Sequence, residues 1–253
     1  MSNYVYQDKE ATMPQLSGML TSRFGDETGD HEALYIDAIK LLAAARGAGS
    51  AMDIGCGRGR ITELIAPVVA EVVALEPDPG RCNWSREALA HLSNVSVLEQ
   101  TTSDYIADNP SRQFDLTILG MVLQHMSTRY CVTLFDEVAQ LTKPGGIAIV
   151  STTHALEQAA CFTYQHVADA RISEEEFNAY AENSQAQDKG LPVHRFSRPE
   201  LEALIPDAFT LVQWHQFSYY RPEHLEHFAQ LHKVPARELE NHGNSQFVVL
   251  KKH

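Results

Sequence analysis

Residues 51–59 read Ala-Met-Asp-Ile-Gly-Cys-Gly-Arg-Gly, where a β-type run passes into a helical one. Glycines at alternate positions let the backbone turn tightly and let a ligand approach with no Cβ in the way. Twenty-one residues after Gly55, Glu76 closes the next β-type run, placed to accept from both hydroxyls of a ribose. A dinucleotide turn spaces its glycines as GxGxxG and leaves a helix N-terminus facing a pyrophosphate. Here the third glycine, Gly59, comes one residue early, and Asp53 stands just before the turn. A carboxylate there repels a diphosphate and suits an amine. Ribose, an amine and no phosphate together describe S-adenosylmethionine.

Such a turn needs strands to carry it and helices to cover it. From about residue 50, apolar β-type runs (50–54, 72–75, 95–98, 114–119, 147–150) alternate with helical stretches (60–66, 79–92, 128–141). In the last helix Leu134, Val138 and Leu141 recur on one face, and Ser127 is placed to cap its start. Strands apolar on both faces and joined by helices predict a doubly wound parallel α/β sheet. Lys143-Pro144-Gly145-Gly146 turns the chain into the fifth strand. The rhythm then breaks. Ser173-Glu174-Glu175-Glu176 is a capping box opening a helix, so residues 154–190 read as a helical cap insertion. A second box, Ser197-Arg198-Pro199-Glu200, starts a helix, followed by β-type runs at 209–220 and 244–251. The expected organisation is one domain: an N-terminal cap (1–46), a cofactor-binding core (47–153), the helical insertion (154–190) and the C-terminal part of the sheet (191–253).

In order along this core, the chain resembles the class I S-adenosylmethionine-dependent methyltransferases of small-molecule type. Asp53-Ile54-Gly55-Cys56-Gly57-Arg58-Gly59 is similar to that family's first motif, and Val73-Ala74-Leu75-Glu76-Pro77-Asp78 to its ribose-binding strand end. Ser103-Asp104-Tyr105 matches the place where an acid accepts from the adenine amino group. Residues 114–120, ending at Gly120, with Leu123-Gln124-His125-Met126 resemble the fourth motif, and residues 141–146 the fifth-strand hairpin. The resemblance implies a Rossmann-like sheet of order 3-2-1-4-5-7-6 with strand 7 antiparallel. It also implies a cofactor site built from Asp53, Gly55, Cys56, Gly57, Gly59, Glu76, Pro77, Ser103, Asp104, Tyr105 and Gly120. Arg23 is a candidate bidentate partner for the methionine carboxylate.

The sulfonium of that cofactor is a built-in leaving group, so the protein's task is to exclude water and align an acceptor. A phenol or protonated nitrogen as acceptor needs a base, which His supplies best near neutral pH. His125 is the catalytic candidate; His154, Tyr164 and His194 are candidates for the acceptor's pocket. Aromatic residues of the two caps, including Tyr4, Tyr6, Phe162 and Phe177, suit closure over a sulfonium. Cys56 reads as a small buried filler. Asp78 serves equally as helix cap or ligand contact, and Asp104, primarily an adenine-contact candidate, has a capping reading as well. His224 and His227 share a helix face without a fixed third ligand, so no metal is invoked. Three other readings stay open: cyclisation of the methionine moiety with release of methylthioadenosine, a catalytically silent cofactor-binding partner, and a nicotinamide oxidoreductase.

The totals set the outer limits. Over 253 residues, 20 Lys+Arg against 33 Asp+Glu leave a formal charge of −13. That argues against nucleic acid and anionic membranes as partners and leaves a small-molecule substrate. Residues 1–46 and 154–190 carry −8 of it, so any bias from the caps favours a neutral or cationic acceptor. The start, MSNYVYQDKE, lacks a signal peptide's basic and apolar regions, and four scattered cysteines suit free thiols. A cytoplasmic location is expected; the oligomeric state is not read from these features.

Overall fold

The computed structural model describes residues 33–45, 49–155, 160–164, 167–183, 192–217, 225–232, 235–237 and 245–253. Five strands, β1 (Ser50–Ile54), β2 (Glu71–Leu75), β3 (Val95–Leu98), β4 (Phe114–Gly120) and β5 (Thr142–Thr153), lie parallel. They alternate with α2 (Arg60–Ile65), α3 (Pro79–Leu89), α4 (Thr102–Asp108) and α5 (Thr128–Leu141), while α1 (Ala33–Ala45) precedes β1. With β9 (Phe209–Phe217) and β10 (Ser245–Lys252) the sheet has the order β3-β2-β1-β4-β5-β10-β9. β10 runs antiparallel to both neighbours, so it is the reversed strand the motifs implied.

Period-two apolar positions bury both faces of the sheet. Met52, Ile54, Leu119, Val150 and Leu250 pack against Leu134, Phe135 and Val138 of α5 on one face. Ala51, Leu116, Ile118, Ile149 and Val249 meet Ile39 and Ala43 of α1 and Ile61 and Ile65 of α2 on the other. A fully buried Phe such as Phe135 contributes about 2–3 kcal/mol. Helix starts follow the cap residues: Ser127 Oγ accepts from Tyr130 N at 3.4 Å, and Ser197 and Glu200 close a reciprocal capping box that opens α7 (Arg198–Ala203).

The insertion differs from the helical expectation. It contains the helix opened by Ser173, α6 (Glu174–Asn183), but also β6 (Cys161–Tyr164) and β7 (Val167–Ile172). With β8 (Pro192–Arg195) these form a second, antiparallel sheet of order β7-β6-β8. The physical reason is the period-two pattern at Phe162, Thr163 and Tyr164, which pairs two flanking strands and outweighs the acidic helical signal beside it. Because β8 pairs β6, the small sheet crosses the boundary expected at residue 190. β8 also rests on the core: Thr153 Oγ1 donates to His194 O at 2.6 Å, and His154 forms a parallel bridge with Phe196. Among the described residues no helix is long and apolar enough to cross a membrane. All four cysteines are free thiols.

Candidate active site

At the carboxyl end of β1 the glycine turn takes left-handed backbone angles, with φ of +68° at Gly55 and +80° at Gly59. A Cβ on Gly55 would lie 2.5 Å from Val122 Cγ2, and one on Gly59 would lie 2.6 Å from Leu89 Cδ1. Gly57 is different. Its nearest neighbour would be Arg81 Nη1 at 3.8 Å, so the turn is open there to an approaching ligand.

Glu76, 7 % exposed, ends β2 beside this opening. Its Oε2 accepts from Gly57 N at 2.9 Å and its Oε1 from Asp78 N at 3.0 Å. Two backbone N–H groups thus fix the carboxylate, leaving each oxygen a further lone pair for a hydroxyl. Burial raises its pKa, while those hydrogen bonds and Arg81 oppose the rise. Asp53, 3 % exposed, accepts from Thr62 Oγ1 at 2.6 Å. Burial pushes its carboxyl up to about 6. Such a group gains from a cationic partner in the same low-dielectric site.

Burial in the fold pushes the Asp53 carboxyl up to about 6 from its ordinary 3.8. As pH falls through 6 toward 3.8 the folded state takes up the extra proton, so this group makes the ligand-free protein more stable there. The gain is on the order of 3 kcal/mol when that window is complete. Binding of an amine has the opposite sign, because it needs the carboxylate ionised. Affinity for S-adenosylhomocysteine should fall about tenfold per pH unit below 6 and level off above it. Calorimetry at pH 5, 6, 7 and 8 checks this, and equal affinities at all four values would remove Asp53 from the amine site.

The remaining expected cofactor residues are placed as follows. Cys56 is buried in the turn, where burial and the charges of Asp53 and Glu76 push its thiol pKa far up, so it is an inert filler. Pro77 is exposed, and Asp78 caps α3 by accepting from Arg81 N at 2.9 Å. Ser103 donates its hydroxyl to Glu137. Asp104 is exposed and engaged in a capping box, accepting from Thr101 Oγ1 at 2.6 Å. Tyr105 is buried against Phe114 in the core. Gly120 ends β4, beside Met121, whose φ of +57° is strained for a residue with a side chain. Gln124 braces that turn, donating to Met121 O at 2.7 Å and accepting from Thr152 Oγ1 at 3.2 Å. Arg23 lies outside the described residues, as do His224 and the cap residues Tyr4 and Tyr6.

The histidines separate. His125 sits in the 3-10 turn after β4, its Nδ1 3.3 Å from Pro192 O and its Nε2 3.4 Å from Gln124 Nε2. A carbonyl only accepts, so Nδ1 carries the hydrogen in that contact. Burial lowers its pKa to about 4, with Arg81 adding to the fall. His154 faces β9, with Gln216 Nε2 2.9 Å from its Nε2 and Trp214 against its ring edge. His194, 1 % exposed, lies between Phe196 and Phe162 at ring distances of 3.8 and 4.4 Å. Glu200 Oε1 stands 3.0 Å from its Nε2, outside hydrogen-bond alignment. β6 ends at Tyr164, whose side chain lies outside the described residues. Among the described residues no group of three His, Cys, Asp or Glu side chains could hold a metal ion. Sequence reasoning missed Arg81, which stands beside Gly57 and whose charge reaches both Glu76 and His125. A basic residue early in a surface helix gives no signal by its type.

Residues 51–146 match the family model described as a methyltransferase domain. A ubiquinone biosynthesis O-methyltransferase of Xanthomonas campestris pv. campestris (strain B100) is 28% identical over 140 residues, which cover 53% of this chain and 57% of that one. The corresponding protein of Azorhizobium caulinodans is 33% identical over 105 residues, 40% of this chain and 39% of the relative. The chain therefore spans about half the length, or less, of these relatives. Among solved structures, the N-methyltransferase NodS from Bradyrhizobium japonicum WM9 in complex with S-adenosyl-L-homocysteine superposes with a TM-score of 0.57, at 15% identity over 95% of this chain and 98% of that one. The Burkholderia thailandensis 1,6-didemethyltoxoflavin-N1-methyltransferase, bound to its acceptor and S-adenosylhomocysteine, gives 0.57 at 16% identity over 86% and 77%. These two likenesses concern the fold.

Proposed function

We propose, from the match of residues 51–146 to the methyltransferase-domain model, that the chain is an S-adenosylmethionine-dependent enzyme that transfers a methyl group to a small-molecule acceptor. The observation that carries this reading is the pair of acids around the open glycine. Asp53 is a buried carboxylate suited to an amine, and Glu76 is held by Gly57 N and Asp78 N with lone pairs left for a ribose. This donor set fits S-adenosylmethionine, and the early third glycine departs from the spacing of a pyrophosphate turn. Bound there, S-adenosylmethionine supplies a methyl group on a sulfonium leaving group. Asp53 would hold the amine, Glu76 the ribose hydroxyls, and the open face at Gly57 would admit the chain between them. The cap then has to exclude water and keep the acceptor about 3–3.5 Å from the methyl carbon.

His125 fits a positioning role better than that of a base. Titrating near 4, it is neutral throughout the physiological range and a weak proton acceptor, and both ring nitrogens face protein groups. It joins the turn after β4 to β8, so it sets where the cap meets the core. His125→Ala should release β8, speeding amide exchange at residues 193–195 about fivefold to tenfold, the scale of one lost hydrogen bond. S-adenosylhomocysteine affinity should stay within about twofold. Unchanged exchange in β8 would reject this role.

Methyl transfer itself is tested by product analysis. The protein is incubated with methyl-labelled S-adenosylmethionine and a small-molecule extract. Adenosylhomocysteine and a labelled acceptor are expected; methylthioadenosine appearing without any acceptor would point to cyclisation instead.

A further inference from the structure

Arg195 is 8 % exposed, yet no ion pair among the described residues includes it. Its one hydrogen bond runs from Nε to Thr163 Oγ1 at 3.2 Å, and Thr163 is itself buried. The terminal guanidinium nitrogens are not among the buried atoms left without a partner, so they keep a narrow contact with solvent. A guanidinium this far withdrawn from water normally sits against a carboxylate or phosphate. Among the described residues none is paired with it.

The register of the small sheet gives the direction. Arg195 pairs with Cys161 and Val193 with Thr163, so these four side chains share one face. Arg171, opposite Thr163 on β7, shares it too. His194 and Phe162 occupy the other face, the one stacked on Phe196 and Phe177. The Arg195 face is therefore the one opposite the aromatic stack, and Val193 and Thr163 on it are buried as well. β8 is pinned to the turn after β4 through His125 and to the end of β5 through Thr153. This holds it at the carboxyl ends of β4 and β5, the same end of the sheet as the glycine turn after β1, where open α/β sheets place ligands.

We infer that Arg195, oriented by Thr163, is the recognition point for an oxyanion on the acceptor, so that the substrate is a small molecule bearing a carboxylate or a phosphate. The inference rests on the methyltransferase reading for what happens to that molecule, but not for the site itself. It reverses the preference suggested by the caps' net charge. Exposed acids more than a Debye length (about 8 Å) away are screened, whereas a desolvated guanidinium in contact with its ligand is not. Its planar fork gives two parallel donors to either oxyanion.

The test uses the full chain saturated with S-adenosylhomocysteine, at constant ionic strength, titrated with benzoate, phenyl phosphate and neutral benzamide while thermal unfolding is followed. Saturable stabilisation by at least one of the two anions is expected, with benzamide at least tenfold weaker. The anion that saturates at lower concentration distinguishes a carboxylate from a phosphate acceptor. Arg195→Gln should weaken anion binding at least tenfold while leaving S-adenosylhomocysteine affinity within about twofold. If Arg195→Gln does not fold, Thr163→Val keeps the guanidinium but removes its tether and should weaken anion binding at least threefold. Equal binding of benzoate and benzamide, anion binding undiminished in both variants, or no saturable anion binding by wild type would each overturn the assignment. Should S-adenosylhomocysteine fail to bind wild type, the methyltransferase reading falls, and the same anion titration on the ligand-free protein still decides the role of Arg195.

Discussion

Glu76→Ala should weaken S-adenosylhomocysteine binding about 30-fold, the equivalent of about 2 kcal/mol for lost charged hydrogen bonds. The carboxylate is fixed before any ligand arrives, because Gly57 N and Asp78 N hold its two oxygens at 2.9 and 3.0 Å. Its removal takes away the ribose acceptors and leaves two backbone N–H groups without their partner. The variant should therefore lose stability as well, about 1–3 kcal/mol. Affinity is to be measured by calorimetry under conditions where denaturant titration shows the variant folded. Wild-type affinity in a folded Glu76→Ala protein would take Glu76 out of the site.

Gly55→Ala should cost about 2–5 kcal/mol of stability, lowering Tm by roughly 4–10 °C for a chain of this size. The left-handed φ of +68° alone costs a side chain about 1–2 kcal/mol. Overpacking adds about 1–3 kcal/mol, because the new methyl would meet Val122 Cγ2 at 2.5 Å. Gly57→Ala makes the contrast. Its φ is also positive, at +57°, but the nearest atom would be 3.8 Å away. It should lose only about 1 kcal/mol of stability and lose cofactor affinity disproportionately, since the methyl would stand where the ligand approaches. Equal stability losses in the two variants would mean that the turn is not shaped by Val122 on one side and open on the other.

These two glycines show why the core was legible in the sequence. The turn, Asp53 and Glu76 act through local backbone geometry and fixed spacing along adjacent strands, and both survive in a linear reading. The doubly wound sheet followed from the same alternation, whereas its strand order and the reversed β10 were what the family resemblance implied. Side chains whose role depends on a distant partner were not legible. His194 falls into an aromatic stack with Phe162 and Phe196, residues that only the pairing of β6 with β8 brings together. The carboxylate of Asp104 is engaged by Thr101, three residues earlier, in a capping box that its type and position allowed as readily as an adenine contact. The strands of the insertion were missed because a strong capping signal at Ser173 drew attention from a short β-type alternation at Phe162–Tyr164. Arg195 gave no signal, since arginine is usually solvated and only its burial makes it unusual.

The proposed fit of the glycine turn, Asp53 and Glu76 to an amine-bearing nucleoside without phosphate is tested by titrating the wild-type protein at pH 7.5 with S-adenosylhomocysteine and, separately, with NADH in a calorimeter. Saturable one-to-one binding of S-adenosylhomocysteine and no heat of binding for NADH is the predicted result. Tight NADH binding with none of S-adenosylhomocysteine would contradict the account.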